Sequence, residues 1–175
     1  MKSFEAEALT ELDCPEEAVM ALLKERGLTF STAESCTGGD IARRFTELPG
    51  ASAFFKGGVV SYVNEVKESM LGVDAAVLAE KTAVSREVAA AMAEGVRARL
   101  KTDMAVSVTG LAGPDGDGVH EVGTVFIGLA VEGQTFVRET HMGQKRTRSF
   151  IRRMAGNHAF DMMRRWMSGL PVEEI

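Results

Sequence analysis

Ser31-Thr32-Ala33-Glu34-Ser35-Cys36-Thr37-Gly38-Gly39 joins an extended run, residues 28–33, to an amphipathic pattern that begins near Asp40. The junction reads as a strand feeding a helix through a tight, glycine-marked turn. Ser35 places a hydroxyl there, beside the N–H groups of a helical first turn, which have no intrahelical acceptors. Such a corner can bind an anion or hold a developing oxyanion, so it is read as the centre of an active site. Strand–turn–helix units build α/β domains, and the rest of the chain is read for more of them.

Upstream, Pro15 with Glu16 and Glu17 opens a helix, with Val19, Leu22 and Leu23 as its buried stripe and Gly27 as its stop. The Glu- and Ala-rich residues before it, 1–14, read as an extension with an accessory helix. Downstream, a helix runs from about Gly39 to Leu48. A β-branched strand follows at Gly58 to Val63, then a short helix from Glu65 to Leu71. Ser85 caps a long helix whose Val88, Met92, Val96 and Leu100 form one stripe. Met104 to Thr109 is a strand, and residues 123–131 and 134–142 form a hairpin turning at Glu132-Gly133. The last helix carries Ile151, Met154, Ala155, His158, Ala159, Met162, Met163 and Trp166 at helical spacing, before Gly169 and Pro171.

This order predicts a single α/β domain over residues 15–168, with a short tail at 169–175. It is a three-layer α/β/α arrangement whose mixed, mostly parallel sheet has about five strands, the C-terminal hairpin included. In open sheets the ligand crevice lies at the strand C-terminal ends. Ser35, Tyr62 and Thr109 each fall at or just past such an end, which groups them on one rim.

Composition narrows the function classes. The 175 residues carry a net charge of -5 and 45% hydrophobic residues, ordinary for a globular domain and poor for a general nucleic-acid surface. Two cysteines, Cys14 and Cys36, define no disulfide framework and fit a cytoplasmic location. No apolar run approaches the roughly 20 residues that span a bilayer, so no membrane association is expected. The Met-rich last helix and the exposed hairpin edge are surfaces on which a homodimer could form.

Tyr62, Asn64 and Lys67 lie in one short run. Asn64 is placed to cap the helix it precedes. Lys67, about a turn in, could reach back to the strand end, and a desolvated lysine can deprotonate a hydroxyl. Tyr62 could relay the proton or orient the amine. The plainer reading has Tyr62 packing the sheet end and Lys67 as a solvated charge. Ser107 to Pro114 is a second glycine-marked strand exit, either a ligand contact or a tight connection. Asp115-Gly116-Asp117-Gly118 lacks the later bidentate Glu of a calcium loop and reads as a solvated turn. Around the last helix start stand Lys145, Arg146, Arg148, Arg152 and Arg153; Arg148 and Arg152 share a face and could hold a phosphate or carboxylate, or form a solvated face. Cys36 is a rival nucleophile but reads better as a small buried residue, and His158 as packed. His120 and His141 have no metal-ligand spacing, so no metal or cofactor is expected.

Together, residues 33–39, Tyr62-x-Asn64-x-x-Lys67, Thr109-Gly110-x-Ala112-Gly113-Pro114 and residues 122–125 (Val-Gly-Thr-Val) closely resemble the CinA C-terminal-domain family. That family includes the nicotinamide-nucleotide amidohydrolases, also written PncC. The resemblance covers about Pro15 to Trp166. It implies hydrolysis of the carboxamide of nicotinamide mononucleotide to nicotinic acid mononucleotide and ammonia, as part of pyridine nucleotide salvage. It implies Ser35 as nucleophile and Lys67 as general base with Tyr62 assisting. Thr37, Gly38, Gly39, Asn64, Thr109 and Gly110 would surround substrate or oxyanion. Arg148 would meet the phosphate, with Arg152 beside it and Arg146 as the alternative. Asp117, Glu121 and Gln144 depart from the family pattern in loops near the substrate rim. The larger CinA proteins add an N-terminal domain for which 175 residues leave no room, so its pyrophosphatase activity is not implied. A non-catalytic nucleotide-binding or competence-associated interaction module with the same pocket is the alternative.

Overall fold

The computed structural model describes residues 14–174. The accessory helix expected before Pro15 falls outside the described residues, apart from Cys14. Five strands, β1 (Phe30–Glu34), β2 (Phe55–Val60), β3 (Met104–Gly110), β4 (Thr124–Val131) and β5 (Gln134–His141), form one sheet in the order β2-β1-β3-β4-β5. β1 pairs in parallel with both β2 and β3, while β3–β4 and β4–β5 are antiparallel, which gives the expected mixed sheet. β1 is an interior strand and wholly buried.

Helices cover both faces. On one side α1 (Pro15–Arg26), α2 (Asp40–Thr46) and α6 (Arg148–Met167) pack Val19, Leu23, Ile41, Phe45, Ala159 and Met163 against Phe30, Val106 and Ile127. On the other, α3 (Asn64–Leu71), α4 (Ala75–Lys81) and α5 (Arg86–Leu100) pack Leu71, Leu78, Val88 and Met92 against Ala33 and Ala105. Ser85 caps α5 as expected, accepting from the Val88 N–H. α4 was not anticipated; its start signal is Asp74, whose carboxylate takes the Ala76 N–H at 2.7 Å.

One boundary differs from expectation in a way that matters. The strand read at 58–63 runs instead from Phe55 to Val60, because β2 ends where its partner β1 ends, with Glu34 opposite Val60. Gly58 is required there: a Cβ would lie 2.1 Å from Thr32 Oγ1. The shift turns residues 61–63 into a loop at the rim of the sheet.

At the far side the segment after α6 is strapped down. Arg138 on β5, 1% exposed, binds Asp161 and donates to the carbonyls of Val172 and Glu174. Its guanidinium also meets His158 Nδ1 at 3.3 Å, and burial with that cation pulls the His158 pKa down to about 4. His158 is thus a packed, neutral residue, as its place on the apolar stripe suggested.

Candidate active site

Strand side chains alternate in direction. At the end of β1 that alternation sends Glu34 under α2 and Ser35 towards α3. Across the rim, Lys67 Nζ lies 2.8 Å from the Ser61 carbonyl oxygen and 3.2 Å from Ser35 Oγ. The lysine is 1% exposed, and no carboxylate pairs with it among the described residues. Burial holds its pKa below the ordinary lysine value. In the neutral form the contact reverses: one N–H still donates to Ser61, and the lone pair accepts the Ser35 proton.

Every backbone N–H from Ser35 to Ala42 can be followed. Ser35 donates to Val108, Gly38 to Ser35 and Asp40 to Thr37. Gly39 and Ile41 donate to Glu34 Oε2 at 3.0 and 3.1 Å, and Ala42 donates to Oε1 at 3.0 Å. Cys36 and Thr37 remain: the Cys36 N–H faces its own thiol, and Thr37 is fully buried and does not line the cleft. The expectation of a helix start with open donors is therefore corrected. Glu34 closes it, and the turn directly after Ser35 is held beneath that cap. Gly38 and Gly39 serve the turn rather than the substrate: their φ values of 61° and 93° are left-handed, and both N–H groups are occupied.

The Cys36 thiol lies in the same turn. Burial pushes its pKa up to about 12, against the lowering effect of Arg148 and Arg152, so at neutral pH it is a protonated thiol. That agrees with the small buried residue expected and removes the thiolate that a rival nucleophile would need.

Ser35, Cys36, Tyr62, Asp115 and Arg148, with the backbone from Gly110 to Gly113, line a cleft of about 220 Å³. Arg148 opens α6 at its mouth, donating to the Gly113 carbonyl at 2.9 Å and the Tyr62 hydroxyl at 2.8 Å. Arg146 instead lies over the Phe150 ring at 4.8 Å and does not line the cleft. Of the two, Arg148 is the cation at the site.

Several expected roles change. Tyr62 is 58% exposed and bonds Arg148 rather than Lys67, because β2 ends before it and the loop turns it outward. Asn64 begins α3, preceded by Val63 at the cap position, which makes no side-chain bond; Asn64 neither caps nor lines the cleft. The Thr109 hydroxyl is spent on the Ala83 carbonyl at 2.6 Å, tying the start of α5 to the sheet. Thr37 is fully buried, so its side chain cannot reach a ligand. Arg152 gives two N–H groups to the Thr37 carbonyl, at 2.6 and 3.2 Å, and braces the turn instead of awaiting an anion. Glu34, Ser61 and Asp115 were not anticipated. Glu34 stood inside the quoted motif, but its partners are backbone groups, which leave no mark in side-chain patterns. The Asp115 turn is solvated as expected at Asp117, which accepts from the Val119 and His120 N–H groups.

The fold and site together define a three-layer α/β protein in which a half-buried serine meets a buried lysine at the C-terminal rim of β1. The chain belongs to the CinA family: the model of the CinA C-terminal domain matches residues 13–167. It is 47% identical over 163 residues to a CinA-like protein of Frankia casuarinae, covering 93% of this chain and 37% of that one. A CinA-like protein of a Synechococcus species is 46% identical over 153 residues, or 87% of this chain and 36% of the relative. The chain thus spans less than two-fifths of the length of these relatives. Among solved structures, the competence/damage inducible protein CihA from Agrobacterium tumefaciens is 38% identical with a TM-score of 0.80, covering 85% of this chain and 92% of its own. A CinA superfamily protein from Klebsiella pneumoniae is 27% identical with a TM-score of 0.85, covering 93% and 99%. No helix among the described residues is long and apolar enough to cross a membrane.

Proposed function

We propose that this chain is an amidohydrolase that deamidates nicotinamide mononucleotide through an acyl-enzyme on Ser35. The observation that carries the reading is the 3.2 Å contact between Ser35 Oγ and a buried lysine that has no carboxylate partner among the described residues. Lys67 takes the hydroxyl proton as Oγ attacks the carboxamide carbon. The carbonyl oxygen, now negative, lies in the cleft beside the turn that follows Ser35, where polar groups can stabilise it. Lys67 returns the proton to the departing nitrogen, and ammonia leaves. Water, deprotonated by Lys67, then attacks the ester, releasing the carboxylic acid and restoring Ser35. The groups that move protons are all side chains of this chain.

Cleft size and charge support the substrate class. Sites that enclose a drug-sized ligand run to roughly 300–1,000 Å³. A cleft of about 220 Å³ suits the pyridine ring, with the sugar phosphate left at the mouth beside Arg148. The test is product analysis with nicotinamide mononucleotide and its riboside. The phosphorylated compound is expected to react faster, and Ser35→Ala to release no ammonia while melting as the wild type does. Undiminished turnover by Ser35→Ala would remove the serine from the mechanism. Tight nucleotide binding without product would favour a binding module instead.

A further inference from the structure

We propose that Glu34 is a positioning residue for the nucleophile: its carboxylate closes the start of α2 and so fixes the turn that carries Ser35 against the end of β1. The inference rests on the reading of Ser35 as a nucleophile activated by Lys67. Glu34 is 1% exposed, at the last position of β1. Three N–H groups from two turns of chain converge on its two oxygens, within 3.0–3.1 Å. Both oxygens are thereby committed to backbone donors, and neither bonds Ser35 or Lys67, so the carboxylate takes no proton in the reaction.

Its main chain works on the opposite side. The Glu34 carbonyl accepts the Ser61 N–H at 2.8 Å, and the Ser61 carbonyl in turn accepts Lys67 Nζ at 2.8 Å. One residue therefore sets the turn that carries the nucleophile and, through Ser61, the amine that activates it. Arg152 holds the same turn from α6 through the Thr37 carbonyl. Between these two clamps lies the segment 35–38.

The chemistry of the side chain is specific. Three converging donors need an acceptor at both oxygens. Glutamine has one acceptor oxygen, and its NH2 group would face an N–H head-on. Aspartate keeps both acceptors but is one methylene too short to reach Gly39, Ile41 and Ala42 together. Neither substitution removes an apolar contact from the core. Both are therefore expected to loosen the turn while the sheet persists.

The test is the rate at which a small alkyl fluorophosphonate labels Ser35, followed by intact mass. In that step Oγ bonds phosphorus, the P–F bond breaks, fluoride leaves and Lys67 takes the proton, while the phosphonyl oxygen occupies the oxyanion position. The readout needs no assumption about the natural substrate. Glu34→Gln is expected to label 10- to 100-fold more slowly than wild type, with the pH inflection of labelling unmoved, and to lose kcat rather than gain KM on nicotinamide mononucleotide. Glu34→Asp should recover part of the rate. Wild-type labelling without ammonia release would retire the substrate while leaving the Glu34 comparison intact. Folded Glu34→Gln that labels at the wild-type rate would overturn the proposal. Failure of both variants to fold would assign Glu34 to stability alone, and no labelling of wild type would leave no activated hydroxyl to position; either result would also overturn it.

Discussion

Replacing Lys67 with methionine separates its two consequences, one for rate and one for stability. The side chain lengths are close, so the buried path to Ser35 stays filled. For the rate, a positioned general base contributes about 10²- to 10⁴-fold. At about 1.36 kcal/mol per tenfold, the loss is about 3–5 kcal/mol of transition-state stabilisation. For stability, the sign follows from burial, which lowers the folded pKa below the ordinary value of 10.5. Below the folded pKa both states carry the proton, and the native state bears a desolvated ammonium. As pH rises from the folded pKa towards 10.5, the unfolded chain still holds a proton that the native protein has shed, so wild-type stability increases. Methionine has no such dependence. Against this, the variant leaves the Ser61 carbonyl without its donor, at a cost of about 1–3 kcal/mol. The melting temperature of Lys67→Met minus that of wild type should therefore be highest near neutrality and fall as pH approaches 10.5. Wild-type kcat/KM should drop as pH is lowered through the depressed Lys67 pKa. Ammonia release and thermal melts between pH 7 and 10.5 read all three. A folded Lys67→Met within tenfold of wild-type kcat would refute the base assignment, and a pH-independent melting difference would refute the desolvation argument.

Arg148→Met removes the cation at the mouth and its bond to Tyr62. KM for nicotinamide mononucleotide should rise about 10- to 100-fold, the equivalent of one charged hydrogen bond, with kcat and riboside kinetics little changed; steady-state assays of both substrates check it. His158, buried and neutral with a pKa near 4, resists a proton that the unfolded chain accepts near 6.5. Stability is therefore lost as pH falls from 6.5 to 4, by about 3 kcal/mol. Urea denaturation of wild type and His158→Leu at several pH values isolates this, since the variant should lack that part of the slope.

Much of the fold could be read from local signals, and the exceptions share one cause. The strand–turn–helix at 31–39, the Ser85 cap and the hairpin at Glu132-Gly133 are set by nearby residues and appear where their chemistry predicts. The Ser35–Lys67 pairing across 32 positions came within reach because Ser35 directly follows β1 and Lys67 lies in the first turn of the helix that follows β2. β2 was misplaced because β-branched residues run on to Val63, whereas a strand persists only while a partner pairs with it, and β1 stops at Glu34. Tyr62 was moved by the same error. Arg152 sits one turn from Arg148 on α6 and looks identical to it by spacing. What tells them apart is a carbonyl 115 positions away, which captures one guanidinium and not the other. Glu34 carries the point furthest. An acidic residue ending a buried strand suggests a catalytic acid, yet its oxygens are consumed by the backbone that follows it. Side-chain patterns reveal which groups are able to react. Which of them remain free to do so depends on the hydrogen bonds already made, and here those bonds leave one amine and one hydroxyl facing each other on the same rim.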